Sequence, residues 1–498
     1  MSKRITQREL ENYLWGVAVV LRGLIDAGDY KQYIFPLVFL KRLSDVYDEE
    51  RAAALDIYDG DEELADLPEN HRFVIPDGAH WADIRKVTKD VGKAIKDAMR
   101  AIEAANPDTL PGVFGEGGWG NKDLLSDATL LELIEEFSKE TLSIANLPED
   151  ELGNGYEFLI KKFADDSGHT AQEFYTNRTL VHLMTQMLKP RSGESVYDPT
   201  CGTGGMLIST VAELKNQGKE WRNLKLYGQE LNYGTSAIAR MNLFLHGIED
   251  GQIAHGDVLA RPAFHNSKGG LQTFDVVLAN PPYSIKNWDR DAFISDPYGR
   301  NVWGVPPQGR ADYAFFQHIA KSLDPKTGRA AILFPHGVLF RREESALREA
   351  LVKSDLIECV LGLGPGLFYN SPMEAVVITL RTNKPTEQRG KVLFINAVNE
   401  VTRVQAKSFL KEVHQQKILQ AYQEFQGVNG FAAVATTDKI ADKDFSLAIP
   451  LYVTGIEPAS TDDELGVADA LELWRQASDE VDSSIEAVLE MLRKEVSR

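Results

Sequence analysis

Four consecutive residues, Asn280, Pro281, Pro282 and Tyr283, combine the groups that could bind a planar exocyclic amine. They follow an apolar run at 274–279, which predicts a short buried strand. Two prolines cannot continue a strand ladder, so the backbone must leave the sheet in a stiff, extended turn. The Asn280 carboxamide oxygen and the Pro281 carbonyl could each accept one N–H, and Tyr283 offers a stacking face. Taken alone, these residues are a turn after a strand.

A second motif lies upstream and contains Asp198, Gly202, Thr203, Gly204 and Gly205. An extended stretch precedes it and an apolar segment with helical periodicity follows, which predicts a strand, a glycine loop and a helix. Glycines let a backbone approach a ligand closely, and a helix N-terminus supplies free N–H groups. The spacing is neither that of a dinucleotide fingerprint nor that of a P-loop.

Two acidic residues mark the ends of the next predicted strands. Glu230 ends the strand at 224–230, and an acid about 20 to 30 residues past a glycine loop typically holds ribose hydroxyls. Asp257 follows a third strand and is a candidate for an adenine contact, although alone it would be a surface turn residue. The site is therefore expected at the carboxyl edge of a parallel sheet.

A polar and aromatic stretch precedes the glycine loop and an amphipathic helical segment. From its residue types alone, this stretch predicts a loop that caps the following helix, and contact with a cofactor is the alternative. Its residues are Gln172, Glu173, Phe174, Tyr175, Thr176 and Asn177.

The composition of the 498-residue chain is that of a soluble globular protein of two or three domains, with 43% hydrophobic and 26% charged residues. Two cysteines, Cys201 and Cys359, are too few for a disulfide framework or a zinc site, so no metal is predicted. The sequence shows no signal peptide or long apolar run, which predicts a cytoplasmic protein without membrane contact. A net charge of −20 is unusual for a protein that grips nucleic acid alone, because phosphate neutralisation dominates such binding.

Three regions are predicted along the chain. Residues 1–150 are predicted to form a helical N-terminal domain. Its first helix is predicted to begin at a capping box formed by Thr6 and Glu9. Strands and helices alternate over 151–400, which predicts an α/β domain with a doubly wound, mainly parallel sheet. Residues 401–498 lose this alternation and end in a heptad seam typical of a long helix that docks on a partner or folds back on its own core. The seam comprises Val467, Leu471, Trp474, Ser478, Val481, Ile485, Val488 and Leu492.

The stretch at 284–310 is long and without clear periodicity, which is typical of a functional loop. Its charges, including Arg300, are mixed in sign, so it is not a strong phosphate-binding patch. His336, Arg341 and Arg342 follow a predicted strand and are candidates for contacts with a DNA backbone.

Together these motifs resemble those of the methylation subunits of type I restriction-modification systems. The glycine loop resembles motif I of the S-adenosylmethionine-dependent methyltransferases, and Asn280–Tyr283 resembles motif IV of those that methylate an exocyclic amine. The Gln172–Asn177 stretch resembles motif X, although the family usually has proline where this chain has Asn177. The helical N-terminal region, the segment at 334–340 and the helical tail also resemble that family.

The resemblance implies S-adenosyl-L-methionine as the cofactor and the N6 amine of a flipped adenine in double-stranded DNA as the acceptor. It also implies a separate specificity subunit, commonly with two copies of this chain for each, which a restriction and translocase subunit can join. Delegating sequence recognition to another subunit would explain the net charge of −20. Two alternatives remain open: methylation of another planar amine or amide (cytosine N4, a guanine of ribosomal RNA or a protein glutamine), and a scaffold without catalysis.

Overall fold

The chain begins with a set of packed helices. The computed structural model describes residues 4–26, 29–166, 177–367, 374–404 and 407–454. Thr6 caps the first helix as predicted, because its side chain accepts from the Glu9 backbone N–H while the Glu9 carboxylate accepts from the Thr6 N–H. The helices are α1 (Gln7–Val19), α2 (Lys31–Ile57), α3 (Glu62–Ala65), α4 (Trp81–Ile84), α5 (Val91–Ala105), α6 (Asp127–Phe137) and α7 (Glu149–Asp166).

These helices share one hydrophobic core. The buried face of α2 includes Tyr33, Phe35 and Phe39, and Phe35 packs against Tyr156 of α7 with ring centroids 4.4 Å apart. The same core reaches Met241 in a later helix of the chain, so the N-terminal helices and the sheet region are packed together. The division predicted at residue 150 stays a prediction.

The chain then forms a nine-stranded sheet, with the strand order β11-β8-β6-β7-β5-β4-β1-β2-β3. The pairs of neighbours β5–β4, β4–β1, β1–β2, β2–β3 and β6–β8 are parallel. Strand β7 is antiparallel to both of its neighbours, and β11 is antiparallel to β8. The strands are β1 (Ser195–Asp198), β2 (Lys225–Glu230), β3 (Gln252–His255), β4 (Val276–Ala279), β5 (Arg329–Pro335), β6 (Ile357–Leu363), β7 (Ala375–Arg381), β8 (Lys391–Ala397) and β11 (Ala432–Thr436).

Helices cover both faces of this sheet, because successive residues of its central strands point in opposite directions. Leu278 and Leu333 pack against α8, α9 and α14 on one face. Val277 and Ile332 pack against α12, α13 and α15 on the other. The predicted α/β fold with a doubly wound, mainly parallel sheet is thereby confirmed. The helices are α8 (Arg178–Leu188), α9 (Gly205–Asn216), α10 (Tyr233–Leu245), α11 (Arg290–Ile294), α12 (Asp312–Lys321), α13 (Ser345–Lys353), α14 (Glu412–Glu424) and α15 (Thr437–Ala441).

The sheet continues past residue 400, because β11 pairs along its length with β8. A two-stranded hairpin of β9 (Thr402–Val404) and β10 (Lys407–Phe409) precedes α14. The predicted boundary at residue 400 stays a prediction, and the predicted helix with its heptad seam at 467–492 lies outside the described residues. Among the helices that the structure describes, none is both long and apolar enough to cross a membrane.

Candidate active site

The glycine loop leaves β1 and enters α9 through backbone conformations that suit glycine. Gly202 has φ +53° and Gly204 has φ +82°, a region that side chains with a Cβ rarely adopt. Gly204 is the N-cap of α9 and Gly205 its first residue, so the loop delivers the chain directly into a helix N-terminus. The carbonyl of Thr203 accepts from the buried Asn242 side chain at 2.9 Å, which fixes the loop from behind.

Glu230, at the end of β2, holds this loop to its neighbouring strand. Its Oε2 accepts from the Gly202 N–H at 3.0 Å, and its Oε1 accepts from the Asn232 N–H at 2.8 Å. The Glu230 carbonyl accepts from the Gly256 N–H at 2.9 Å, which ties the end of β3 to the same place. A carboxylate oxygen can accept more than one hydrogen bond, so Glu230 is placed both to support the loop and to receive hydroxyl groups of a ligand.

Asp198, the last residue of β1, is a buried acid. Its Oδ1 accepts from the Thr200 N–H at 3.0 Å. The pKa of Asp198 is raised to about 8, chiefly by burial; the Thr200 hydrogen bond opposes this rise and the Glu230 carboxylate adds to it. A cationic group bound nearby would favour the ionised form, so the position suits a positively charged ligand better than an anionic one.

Asp257 is exposed beyond the end of β3. Its Oδ1 accepts from the N–H groups of Leu259 at 2.8 Å and Ala260 at 3.3 Å, which closes a local turn. Asn177 caps α8, because its Oδ1 accepts from the Thr179 N–H at 3.0 Å. Its Nδ2 donates to the Ser408 carbonyl at 3.1 Å. The other predicted residues of this stretch, Gln172, Glu173, Phe174, Tyr175 and Thr176, lie outside the described residues.

The turn after β4 brings an amide and a phenol together. The Tyr283 hydroxyl donates to Asn280 Oδ1 at 2.9 Å. Burial, and after it the Asp312 carboxylate, raises the pKa of Tyr283, so the phenol keeps its proton and remains a donor. Pro281 is buried and Pro282 half-buried, which fixes the backbone between the two polar side chains. Tyr283 therefore orients the Asn280 carboxamide, a role that its residue type alone did not reveal.

Two side chains from outside the turn hold its exit. Asp312, the first residue of α12, accepts from the Ser284 N–H at 2.7 Å through Oδ1 and from Arg341 Nη1 at 2.7 Å through Oδ2. Arg341 also lies 3.6 Å from the buried Glu344. The interpretation of Arg341 as a contact to a DNA backbone is therefore corrected, because its guanidinium is largely buried and paired with these carboxylates. The sequence gives no signal for this role of Asp312, because neither the Ser284 N–H nor Arg341 is close to it in the chain.

The long loop after the turn is held by Arg300, which is 2% exposed. Its guanidinium pairs with the buried Asp296 at 2.6 Å and donates to the carbonyls of Val258 at 2.9 Å and Leu259 at 2.7 Å. Arg300 Nη1 also lies 3.5 Å from His318 Nδ1, and burial, then the charge of Arg300, lowers the pKa of that imidazole to about 3. This loop, expected to be functional, is thus joined to the turn that Asp257 closes.

The strand order places the candidate residues in one line. From β4 through β1 and β2 to β3, the strand ends carry Asn280, Asp198, Glu230 and Asp257 in that order. Neighbouring strands lie about 4.8 Å apart, so three steps across the sheet cover about 14 Å. An extended small molecule lying along the glycine loop could therefore reach from Asp257 toward Asn280, with its reactive end beside the amide.

The chain is similar to known proteins over most of its length. The family model described as N-6 DNA Methylase matches residues 148–461, and that of the HsdM N-terminal domain matches residues 10–137. The type I restriction enzyme MjaIX methylase subunit of Methanocaldococcus jannaschii is 30% identical over 483 residues, which cover 89% of this chain and 84% of that protein. The MpnII methylase subunit of Mycoplasma pneumoniae is 27% identical, over 91% of this chain and 90% of that protein. The crystal structure of a type I restriction-modification methyltransferase subunit from Streptococcus thermophilus superposes with a TM-score of 0.78 at 29% identity, over 90% of this chain and 100% of that chain.

Proposed function

Since the chain belongs to the N-6 DNA methylase family and is an adenine-N6 DNA methyltransferase of the type I modification subunits, we propose that it methylates a flipped adenine with S-adenosyl-L-methionine as donor. The observation that carries this assignment to particular residues is the line of Asn280, Asp198, Glu230 and Asp257 at neighbouring strand ends. The line separates a cofactor half at β1–β3 from a target half at β4.

The chemistry of the cofactor half fits S-adenosylmethionine, which carries a sulfonium and an ammonium group. Three carboxylic acids, Asp198, Glu230 and Asp257, follow the ends of the neighbouring strands β1, β2 and β3, and Glu230 accepts from the Gly202 N–H of the loop that enters α9. A phosphate-bearing nucleotide would meet these acids unfavourably, whereas a cationic ligand would be attracted. In this proposal Glu230 holds the ribose hydroxyls, Asp257 contacts the adenine, and the Gly202–Gly205 backbone passes beside the ligand. The predicted contribution of Gln172–Asn177 to the same site remains part of the proposal.

The target half makes the adenine amine a better nucleophile. The N6 lone pair is normally delocalised into the ring, so the amine is planar and attacks poorly. Acceptors at Asn280 Oδ1 and at the Pro281 carbonyl would hold its two hydrogens and favour a pyramidal nitrogen with a localised lone pair. When bound, S-adenosylmethionine supplies an electrophilic methyl group. The contribution of the chain is then to align the amine with that group and to stabilise the charge that develops on nitrogen.

The adenine must leave the duplex to reach Asn280, because its amine is engaged in base pairing. Flipping costs a few kcal/mol, and stacking on an aromatic ring recovers about 1–3 kcal/mol per base. The ring of Tyr283 is the stacking surface in this proposal, while its hydroxyl orients Asn280 through the 2.9 Å hydrogen bond. Pro282 keeps the ring and the amide at a fixed separation.

The experiment is to follow N6-methyladenine in DNA by mass spectrometry. We use the full chain with the subunits that co-purify with it, DNA from a host that lacks this chain, and S-adenosylmethionine. Asn280→Ala should lower kcat by about 10²–10³-fold, because it removes an acceptor that acts on the nucleophile. Cofactor affinity by calorimetry should stay within about twofold, since Asn280 lies in the target half. Methylation at cytosine N4, or near-normal turnover by Asn280→Ala, would contradict the assignment.

We further propose that double-stranded DNA is gripped by an assembly of this chain with a separate specificity subunit, with two copies of the chain for each specificity subunit. The net charge of −20 supports this, because phosphate binding requires a basic surface that another subunit can supply. A restriction and translocase subunit is a further partner in this proposal. The heptad seam at 467–492 is the proposed docking helix. Replacing Ile485 and Val488 by Asp should abolish co-elution with the specificity subunit and leave cofactor binding intact.

A further inference from the structure

Asp312 is a buried acid whose two oxygens are divided between two partners. Its side chain is 1% exposed. Oδ1 faces the backbone immediately after Tyr283, and Oδ2 faces the Arg341 guanidinium, each at 2.7 Å. Neither contact belongs to the adenine or cofactor site proposed above. A buried carboxylate needs such partners, but they do not by themselves explain why the acid stands beside the catalytic turn.

The residue that Asp312 holds has an unfavourable backbone conformation. Ser284 has φ +52°, in the left-handed region that residues with a Cβ rarely occupy. Such a conformation persists only where surrounding contacts hold it. The Asp312 carboxylate accepts the Ser284 N–H, and one residue further on the Ala311 N–H donates to the Ile285 carbonyl at 3.1 Å. The start of α12 therefore forms hydrogen bonds with both of the first two residues after the turn, Ser284 and Ile285.

Arg341 in turn fixes Asp312. Its Nη1 donates to Asp312 Oδ2 and lies 3.6 Å from Glu344 Oε2, and the start of α13 brings Glu344 into this position. Arg341 lies in the segment after β5, which is also held by the Tyr313 hydroxyl donating to the Val338 carbonyl at 3.1 Å. Asp312 thus connects the turn after β4 with the segment after β5, and any other rotamer of its side chain would break a buried ion pair.

We propose that Asp312 is the positioning residue of the catalytic turn: it holds Ser284 in the left-handed conformation and thereby sets the direction of Asn280 and Tyr283. The proposal rests on the function proposed for Asn280. Removing the carboxylate lets Ser284 relax toward negative φ, which rotates the preceding Tyr283 and loosens its hydrogen bond to Asn280. A displacement of about 1 Å at a reacting centre can cost about 10²-fold in rate, so the effect falls on kcat.

The test is a kinetic comparison of Asp312→Ala and Asp312→Asn in the full chain with its co-purifying subunits. Unmethylated genomic DNA and tritiated S-adenosylmethionine are the probes. We expect kcat to fall about 10²-fold for Asp312→Ala. The fall should be about tenfold for Asp312→Asn, which keeps an acceptor for Ser284 but loses the charge facing Arg341. The cofactor Kd and the KM for DNA should each stay within about twofold, which separates positioning from a binding role.

The matched control is Asp324, which lies beyond the other end of α12 and accepts from the backbone N–H groups of Lys326 at 2.8 Å and Thr327 at 3.0 Å. The same two substitutions at Asp324 should leave kcat within about twofold, because that acid lies at the opposite edge of the sheet. In addition, Ser284→Gly should restore part of the kcat of Asp312→Ala, since glycine adopts positive φ without a steric penalty.

Three outcomes would overturn the proposal. One is a kcat for Asp312→Asn equal to that of its Asp324→Asn control, which decides the matter even if Asp312→Ala does not fold. Another is a loss in kcat that is matched by an equal loss in cofactor affinity. The third is a wild-type chain that transfers no methyl group to adenine, which removes the proposed function itself. In contrast, normal wild-type transfer with unaffected Asp312 variants leaves that function standing and removes only the role of Asp312.

Discussion

The two halves of the candidate site are held in different ways. In the cofactor half, each acid at a strand end closes a local turn: Asp198 accepts from Thr200, Glu230 from Asn232 and Asp257 from Leu259, each two residues away. Glu230 adds one remote contact, because it also accepts from the Gly202 N–H across 28 residues. In the target half, the supporting side chains are remote. Asp312 reaches Ser284 across 28 residues, and Arg300 reaches Val258 across 42.

This difference has a physical consequence. A local turn closed by its own carboxylate forms wherever the strand end forms, so the positions of Asp198 and Asp257 depend on few other residues, whereas that of Glu230 also depends on the glycine loop. The turn of Asn280–Tyr283 instead depends on α12, on the segment after β5 and on the long loop at the same time. Substitutions far from Asn280 should therefore disturb the target half, whereas the effect of a substitution in the cofactor half should stay local.

The largest effect is expected from breaking the Arg300 ion pair. Arg300→Met leaves Asp296, whose side chain is 1% exposed, without its cationic partner, and should lower the free energy of unfolding by about 3–5 kcal/mol. Chemical denaturation measures this loss. Adding Asp296→Asn to Arg300→Met should recover part of it, because the unpaired buried charge is then removed.

The exposed pair of Arg85 and Glu135 is the matched control, since its guanidinium and carboxylate meet at 2.6 Å in solvent. Arg85→Met should leave the unfolding midpoint unchanged. An equal midpoint for Arg85→Met and Arg300→Met would show that the long loop is not held by its buried ion pair. The target half would then depend on remote contacts no more than the cofactor half does.

The next effect concerns pH. Burial raises the pKa of Glu344 to about 7, with Arg341 opposing. The pKa of Glu344 is higher in the folded chain than in the unfolded chain, so between about pH 4.5 and pH 7 the folded chain keeps a proton that the unfolded chain has lost. The free energy of unfolding therefore falls as the pH rises through this range. Glu344→Gln should remove that fall, a difference on the order of 2–3 kcal/mol between pH 5 and pH 8. Parallel pH profiles of wild type and variant would contradict it.

The same contrast explains which parts could be predicted from the sequence. Glu230 and Asp257 carry local signals, an acid at the end of an apolar strand, and the sheet topology brings such ends together. Asn280 is marked by two prolines that must end its strand. Asp312 and Arg300 have no comparable signal, because the backbone groups that they contact, at Ser284 and Val258, lie 28 and 42 residues away in the chain. The ion pair of Arg341 has no sequence signal either, since a basic residue at a sheet edge does not reveal the buried carboxylate beside it.

A smaller effect is expected from Glu230→Ala. It removes acceptors for the Gly202 N–H and for the proposed ribose hydroxyls, which should weaken S-adenosylmethionine binding about tenfold, equivalent to about 1.4 kcal/mol. Calorimetry on the full chain measures the change. If the halves are supported independently, the KM for DNA should be unchanged. A shift in that KM as large as the shift in cofactor Kd would instead show that the damage is not confined to the cofactor half.

The smallest effect should come from Tyr283→Phe. This variant keeps the aromatic face for the flipped base but removes the hydroxyl that donates to Asn280 Oδ1 at 2.9 Å. A net hydrogen bond contributes about 1 kcal/mol, so kcat should fall about fivefold while the KM for DNA stays the same. Tyr283→Ala loses both functions and should also raise that KM, because stacking contributes about 1–3 kcal/mol per base. The Phe variant therefore measures orientation of the amide alone. If its kcat equals that of wild type, Asn280 is oriented by the backbone that Asp312 and Pro282 fix, and the support of the target half lies even further from the reacting amine.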